Sequence, residues 1–166
     1  MAPAATVPPM RQVVRTSGLP ATAEDVWARA VSEEGINDEL RPILRMTMPP
    51  ALRGRTIDDV PVGEPLGRSW ILLFGLIPVD YDDLSLAERG PGFRFHERST
   101  MLSMSMWQHE RTVEPSGDGC RLTDRLTFEL RRPLRFMPGS DRLAAAIVAR
   151  LFAHRHRRLA AHFAAG

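Results

Sequence analysis

The chain has 166 residues, which suits one domain spanning 1–166 that can bury about 70% of its unfolded surface in a single core. Its one cysteine, Cys120, excludes an intramolecular disulfide, a zinc site using it would need other ligands gathered from elsewhere, and a reducing cytoplasm is the expected setting. All 22 basic residues are Arg; residues 1–130 carry a net −5 and residues 131–166 a net +7, so an acidic body precedes a basic tail.

Residues 1–9 (MAPAATVPP) are expected to be flexible and lack the apolar run of a signal peptide. The longest apolar run, residues 70–79, is broken by Gly75 and Pro78 and is too short to cross a bilayer, so no membrane insertion is expected. Residues 11–16 (RQVVRT) read as a short strand. Thr22 can then cap a helix in which Ala23, Val26, Trp27, Ala30 and Val31 recur at helical spacing. Residues 36–46 predict a second short helix, interrupted near Pro42, and the apolar segment 65–76 (PLGRSWILLFGL) is read as a helix. Strands follow at 80–87, 92–100, 104–114 and 120–130, separated by turn signals such as RGPG and PSGDG. The Pro-rich bridge RRPLRFMPGS leads to a last helix over 141–163, with Ser140 as its expected cap.

In CRLTDRLTFEL the even positions Cys120, Leu122, Leu126, Phe128 and Leu130 are apolar and the odd ones polar, as a sheet with one buried face requires. Asp124 breaks the alternation by sitting on the apolar face. In FRFHERS, Phe93 and Phe95 mark the inner face, so Glu97 points inward too. A buried, unpaired carboxylate costs several kcal/mol, so each acid needs a cation, a donor or a proton.

The end of the last helix, LFAHRHRRLAAHF, can supply cations. Ala144, Ile147, Val148, Leu151, Phe152, Leu159 and Phe163 form an apolar stripe that includes Arg155, Arg158 and His162, while His156 and Arg157 point away and His154 lies at the margin. The histidines share no face, so the His-x-x-x-His zinc pair is absent and no metal or other cofactor is expected. The +7 tail could meet nucleic acid, but it has neither interleaved aromatics nor a recognisable reading module, so no nucleic-acid partner is expected.

If the PSGDG hairpin pairs Val113 with Cys120, then His109 faces Asp124, and Trp107 and Arg111 also point inward; a one-residue slip would instead set Glu110 against Asp124. Opposed buried carboxylates are unfavourable, which selects the first register. The expected inner cluster is therefore Glu97, Trp107, His109, Arg111 and Asp124 on the sheet, with Arg155, Arg158 and His162 on the helix. Either it docks helix on sheet as an ion network, or it contacts a ligand.

LPATAEDVWARAV, PGFRFHERS, WQHERTVEPSGDGCRLTDRLTFELR and LFAHRHRRLAAHF, in this order over residues 11–163, resemble the helix-grip fold of the SRPBCC (START-like) superfamily, whose members include polyketide cyclases, aromatases and lipid carriers. The resemblance implies an α+β domain with a curved antiparallel sheet wrapped around a long C-terminal helix. A cavity between them would take a small hydrophobic molecule, with Phe93, Phe95, Met101, Met104, Met106, Trp70 and Trp107 as apolar walls. The alternative it implies is a cyclase-like or dehydratase-like enzyme in which His109 is general base or acid, Asp124 orients it and Arg111 stabilises an enolate oxygen. The sequence departs from the superfamily in residues 47–78, where strands usually begin, so a low strand count is expected.

Overall fold

A computed structural model describes residues 10–165, and the expectation for residues 1–9 lies outside them. Strand β1 (Arg11–Leu19) leads into α1 (Ala23–Ala30) and α2 (Glu33–Leu40), followed by β2 (Leu44–Met46) and two short 3-10 turns. Five long strands come next: β3 (Pro65–Leu73), β4 (Ile77–Arg89), β5 (Phe93–Met101), β6 (Met104–Ser116) and β7 (Gly119–Leu130). The chain ends in α3 (Ser140–Ala164). All seven strands join one antiparallel sheet in the order β1-β7-β6-β5-β4-β3-β2, curled into a half-barrel against which α3 lies. This is the helix-grip α+β architecture.

Local chemistry accounts for most boundaries. Thr22 caps α1 by accepting from the Asp25 amide, and Ser32 caps α2 by accepting from the Gly35 amide. The expected second helix stops short because Arg41 precedes Pro42, which disfavours the helical region; Arg41 is extended, and 44–46 become β2. Ser140 is the first residue of α3 rather than its cap. The cap position is Gly139 at φ 78°, and the Ser140 hydroxyl donates to the Leu134 carbonyl.

The expected helix over 65–76 is a strand. Gly67 disfavours a helix and takes φ 111°, Leu66 and Ser69 turn inward, and Phe74 and Gly75 (φ 51° and 74°) fold the chain back so that β3 pairs with β4. This strand fills the region that had looked empty, so the low strand count is also corrected.

The β6–β7 register differs from the expected one by two residues. A tight turn at Gly117–Asp118 pairs Pro115 with Cys120 and Val113 with Leu122. A two-residue shift keeps the same faces inward but sets Arg111, not His109, directly across from Asp124.

Two apolar clusters fill the concave side. One gathers Val26 and Trp27 of α1 with Phe95, Leu122 and Leu159; the other joins Trp107, Leu126 and Phe128 to Val148 and Phe152 of α3. On α3 the buried stripe is Val148, Phe152, Arg155, His156 and Leu159, rotated from the expected one, and Ile147 is exposed. No helix among the described residues is long and apolar enough to cross a membrane.

Candidate functional site

Between the two apolar clusters lies a buried polar network centred on Asp124, which is 0% exposed. The Arg111 guanidinium donates from Nε to Asp124 Oδ1 and from Nη2 to Oδ2, both at 2.8 Å. His109 Nε2 donates to Oδ1 at 2.7 Å, and His156 Nε2 donates to Oδ2 at 2.8 Å. Four donors thus occupy the roughly four lone-pair sites of one carboxylate. Each histidine is fixed in orientation, and His156 Nδ1 accepts from the Ser17 hydroxyl at 2.8 Å.

Arg111 is clamped from its other side by Glu39 of α2, through Nη1 to Oε1 at 2.9 Å and Nη2 to Oε2 at 3.0 Å. Arg155 Nε also donates to Glu39 Oε2, at 2.9 Å, and its guanidinium lies 4.8 Å from the centre of the Phe152 ring. Two arginines are therefore balanced by two carboxylates. Burial pushes the Asp124 carboxyl up, but Arg111 and His109 outweigh it and hold the group well below the ordinary range. Glu39 behaves alike: burial raises it, and Arg111 and Arg155 bring it below its usual value. Burial disfavours the charged form of Arg111 and would lower its pKa, yet Asp124 and Glu39 raise it above the ordinary arginine value.

A cavity of about 80 Å³ opens beside this network, between the sheet, the α1–α2 region and α3. At about 10–15 Å³ per water-sized position, it holds roughly half a dozen small groups. Its long walls are apolar, formed by residues such as Ile36, Met48, Leu52, Val60, Leu66 and Leu84. Its inner polar lining is Ser69, Glu97, His109, Arg111 and Arg155, and the exposed Glu33 and Arg55 also border it. His109 stands edge-on between Phe95 and Phe152, with ring centres 5.1 and 5.2 Å away, and its Nδ1 lies 3.8 Å from Glu97 Oε2.

The structure brings together Glu97, His109, Arg111, Asp124 and Arg155 of the expected cluster, all but Asp124 lining the cavity. Trp107 is buried in the second apolar cluster. Arg158 turns to α2, donating to the Asp38 carboxylate at 2.7 Å, and His162 is exposed, so neither reaches the cavity; the helix is rotated so that His156 takes the inward place. Of the expected apolar walls only Phe95 lines the cavity. Met101, Met104 and Trp107 belong to the second cluster, Phe93 packs on the first, Trp70 is exposed, and Met106 lies outside with its sulfur accepting from Gln108.

Sequence reasoning missed Glu39, His156, Ser69 and Asp82. For Asp82 a signal existed: in YDDLSL the alternation puts it on the same face as Leu84 and Leu86. For Glu39 the i, i+3 spacing from Ile36 was the clue.

Comparison with solved structures agrees with this architecture. A START superfamily protein from Mycobacterium smegmatis superposes with a TM-score of 0.65 at 13% identity, covering 92% of this chain and 96% of that one. The Zhui aromatase/cyclase from Streptomyces sp. R1128 gives 0.66 at 14% identity, covering 93% of each chain. Protein CV1439 from Chromobacterium violaceum gives 0.67 at 15%, covering 92% and 96%. At such identities the likeness establishes the SRPBCC-type fold alone. No curated protein matches the sequence. The family described as "Domain of unknown function (DUF8410)" matches residues 17–163, nearly the whole chain, and this protein belongs to it.

Proposed function

We propose that the protein binds a small, largely apolar molecule carrying at least one polar group in the cavity between sheet and C-terminal helix. The observation that supports this reading is the cavity's asymmetry: apolar walls from Ile36 to Leu84 end on the buried Ser69, His109 and Arg155 and the partly buried Glu97. Such pockets hold ligands by apolar area and orient them through a few polar contacts. Arg155 commits its Nε to Glu39, and its other guanidinium nitrogens make no hydrogen bond among the described residues, so they can donate to a ligand oxygen. Glu97, His109, Arg111 and Arg155 are the proposed lining residues, with Asp124 holding them in place from behind.

One observation favours a catalytic version of the same site. The His109–Asp124 hydrogen bond sets a cavity-lining imidazole in a fixed tautomer, as general-base chemistry requires, and the Zhui aromatase/cyclase shares the fold. In that reading Nδ1 is the working nitrogen because Nε2 is committed to Asp124. The enolate oxygen then falls to Arg155, since Arg111 spends four of its five N–H donors on two carboxylates.

Native mass spectrometry of the purified protein, paired with titration of an environment-sensitive apolar dye, tests the binding reading. A co-purified small molecule or saturable dye binding that such a molecule displaces is the expected result. No adduct and no dye binding would overturn it.

A further inference from the structure

A row of polar side chains crosses the inner face of the sheet: the buried Ser69 on β3, Asp82 on β4, Ser99 on β5, His109 on β6 and Asp124 on β7, with the partly buried Glu97 of β5 paired to His109. Its two ends differ. The Asp124 end is closed, every lone-pair site taken and its charge matched by Arg111. At the other end, Ser99 donates to Glu97 Oε1 at 2.8 Å, while Ser69 Oγ and Asp82 Oδ1 have no partner among the described residues although their side chains are 0% and 3% exposed. Ser69 and Glu97 line the cavity, and Asp82 is the cross-strand partner of Ser69.

Charge is also out of balance here. Among the described residues no arginine lies within salt-bridge distance of Asp82 or Glu97. Of the arginines that border the cavity, Arg111 and Arg155 are matched by Glu39 and Asp124, and Arg55 is exposed and acts on Asp59. From the pair's own strands Asp80 adds negative charge, and from β6 only the His109 imidazole faces Glu97. Two adjacent carboxyls therefore share one imidazole that already serves Asp124. The shortfall is made up by a proton or by a ligand cation.

We propose that the Ser69–Asp82–Glu97 end of the cavity is a subsite for the primary ammonium group of an otherwise apolar ligand. This rests on the cavity being a ligand site. An ammonium carries three donors and no acceptor, and the subsite offers three acceptors in the Ser69 hydroxyl, the Asp82 carboxyl and the Glu97 carboxylate. The alkyl body runs along Met48, Leu66 and Leu84. A ligand carboxylate would face two acids here and is disfavoured. Without a ligand, burial and the neighbouring Glu97 raise the Asp82 carboxyl well above its usual range, which favours its protonated form. Binding then exchanges one positive charge for another: the ammonium enters, the Asp82 carboxyl gives its proton to solvent, and the site's net charge is unchanged.

Calorimetric titration of the full chain with n-hexylamine and n-hexanol, near neutral pH and in two buffers of different ionisation enthalpy, tests this. The amine should bind about tenfold more tightly than the alcohol, the size of one charge-assisted hydrogen bond, and should release a fraction of a proton approaching one. Asp82→Asn should abolish both the amine preference and the proton release. Ser69→Ala, a milder change, should weaken the amine more than the alcohol and serves if the Asn variant does not fold. Saturable hexanol binding with no amine preference or no proton release overturns the subsite and leaves the cavity reading standing. Binding of neither compound overturns both.

Discussion

Replacing Arg111 by Met is the most direct test of the buried network. The guanidinium is 1% exposed and makes four hydrogen bonds, two to Asp124 and two to Glu39. Removing one partner of a buried ion pair costs about 3–5 kcal/mol, because the remaining charge is stranded rather than because the pair itself is strongly stabilising. Here two acids lose a partner, but neither is wholly orphaned: Asp124 keeps His109 and His156, and Glu39 keeps Arg155. The expected loss therefore stays within about 3–5 kcal/mol, and at about 2–4 °C per kcal/mol for a chain of this size the melting temperature falls by roughly 6–20 °C. Glu39→Met should rescue part of that loss. In the double variant the stranded acid is gone, so the two losses should sum to more than the double variant shows. Circular-dichroism melts and urea titrations of the two single variants and the double variant complete the cycle. Strict additivity, or a drop of only a degree or two for Arg111→Met, would refute the clamp.

The pH response should split by residue. Asp124 and Glu39, held below their ordinary values, contribute stability that is complete above about pH 4–4.5 and is lost as pH falls through their lowered folded values. Asp82 has the opposite sign: its raised folded value favours the protonated form, so stability is full below about pH 4 and declines as pH rises. Asp82→Asn should thus stabilise the protein near neutrality and leave it unchanged at the acid end, as urea denaturation across pH will show. Gly119→Ala should destabilise strongly, because its Cβ would lie 2.1 Å from the Leu19 carbonyl oxygen, whereas Gly18→Ala on the facing strand meets nothing within 4 Å and should shift the melt little. Leu84→Trp, on the cavity wall, should reduce dye binding more than stability; Met106→Trp, outside it, should leave binding intact. Equal effects of the two tryptophans would place the ligand elsewhere.

The strands that carry the site were the most readable part of the chain. CRLTDRLTFEL alternates so regularly that Asp124 stood out as an inward acid before any partner was known, and the partners Arg111 and His109 followed from parity alone. Parity survives a two-residue shift, so the right side chains met even though the hairpin turn was read too long. Residues 65–76 failed for the opposite reason: a short apolar run has no period of its own, and pairing with β4 decided its conformation. The rotation of α3 was equally undetermined. Alanine and arginine occur on all its faces, so the centre of its stripe shifts easily, and the Asp124 lone pairs draw His156 inward while Ile147 turns to solvent. Glu39 could not be paired from sequence because its partners lie 72 and 116 residues away.

A buried ion network is weak evidence of stability by itself, since apolar replacements of similar volume often do as well. Its geometry has a more specific consequence. Asp124 fixes the rotation of α3 through His156, and Glu39 ties α2 to both Arg111 and Arg155, so the walls of the cavity are held from three elements at once. Empty volume costs about 24 cal/mol per Å³, or about 2 kcal/mol for a space of about 80 Å³. Leaving the Ser69 hydroxyl and one Asp82 oxygen unpaired costs about 1–3 kcal/mol each. Defects of packing would be expected to scatter. These costs fall together, at the cavity-lining Ser69 and its cross-strand partner Asp82, beside a network rigid enough to maintain the cavity, and a bound molecule carrying hydrogen-bond donors on an apolar body would offset them.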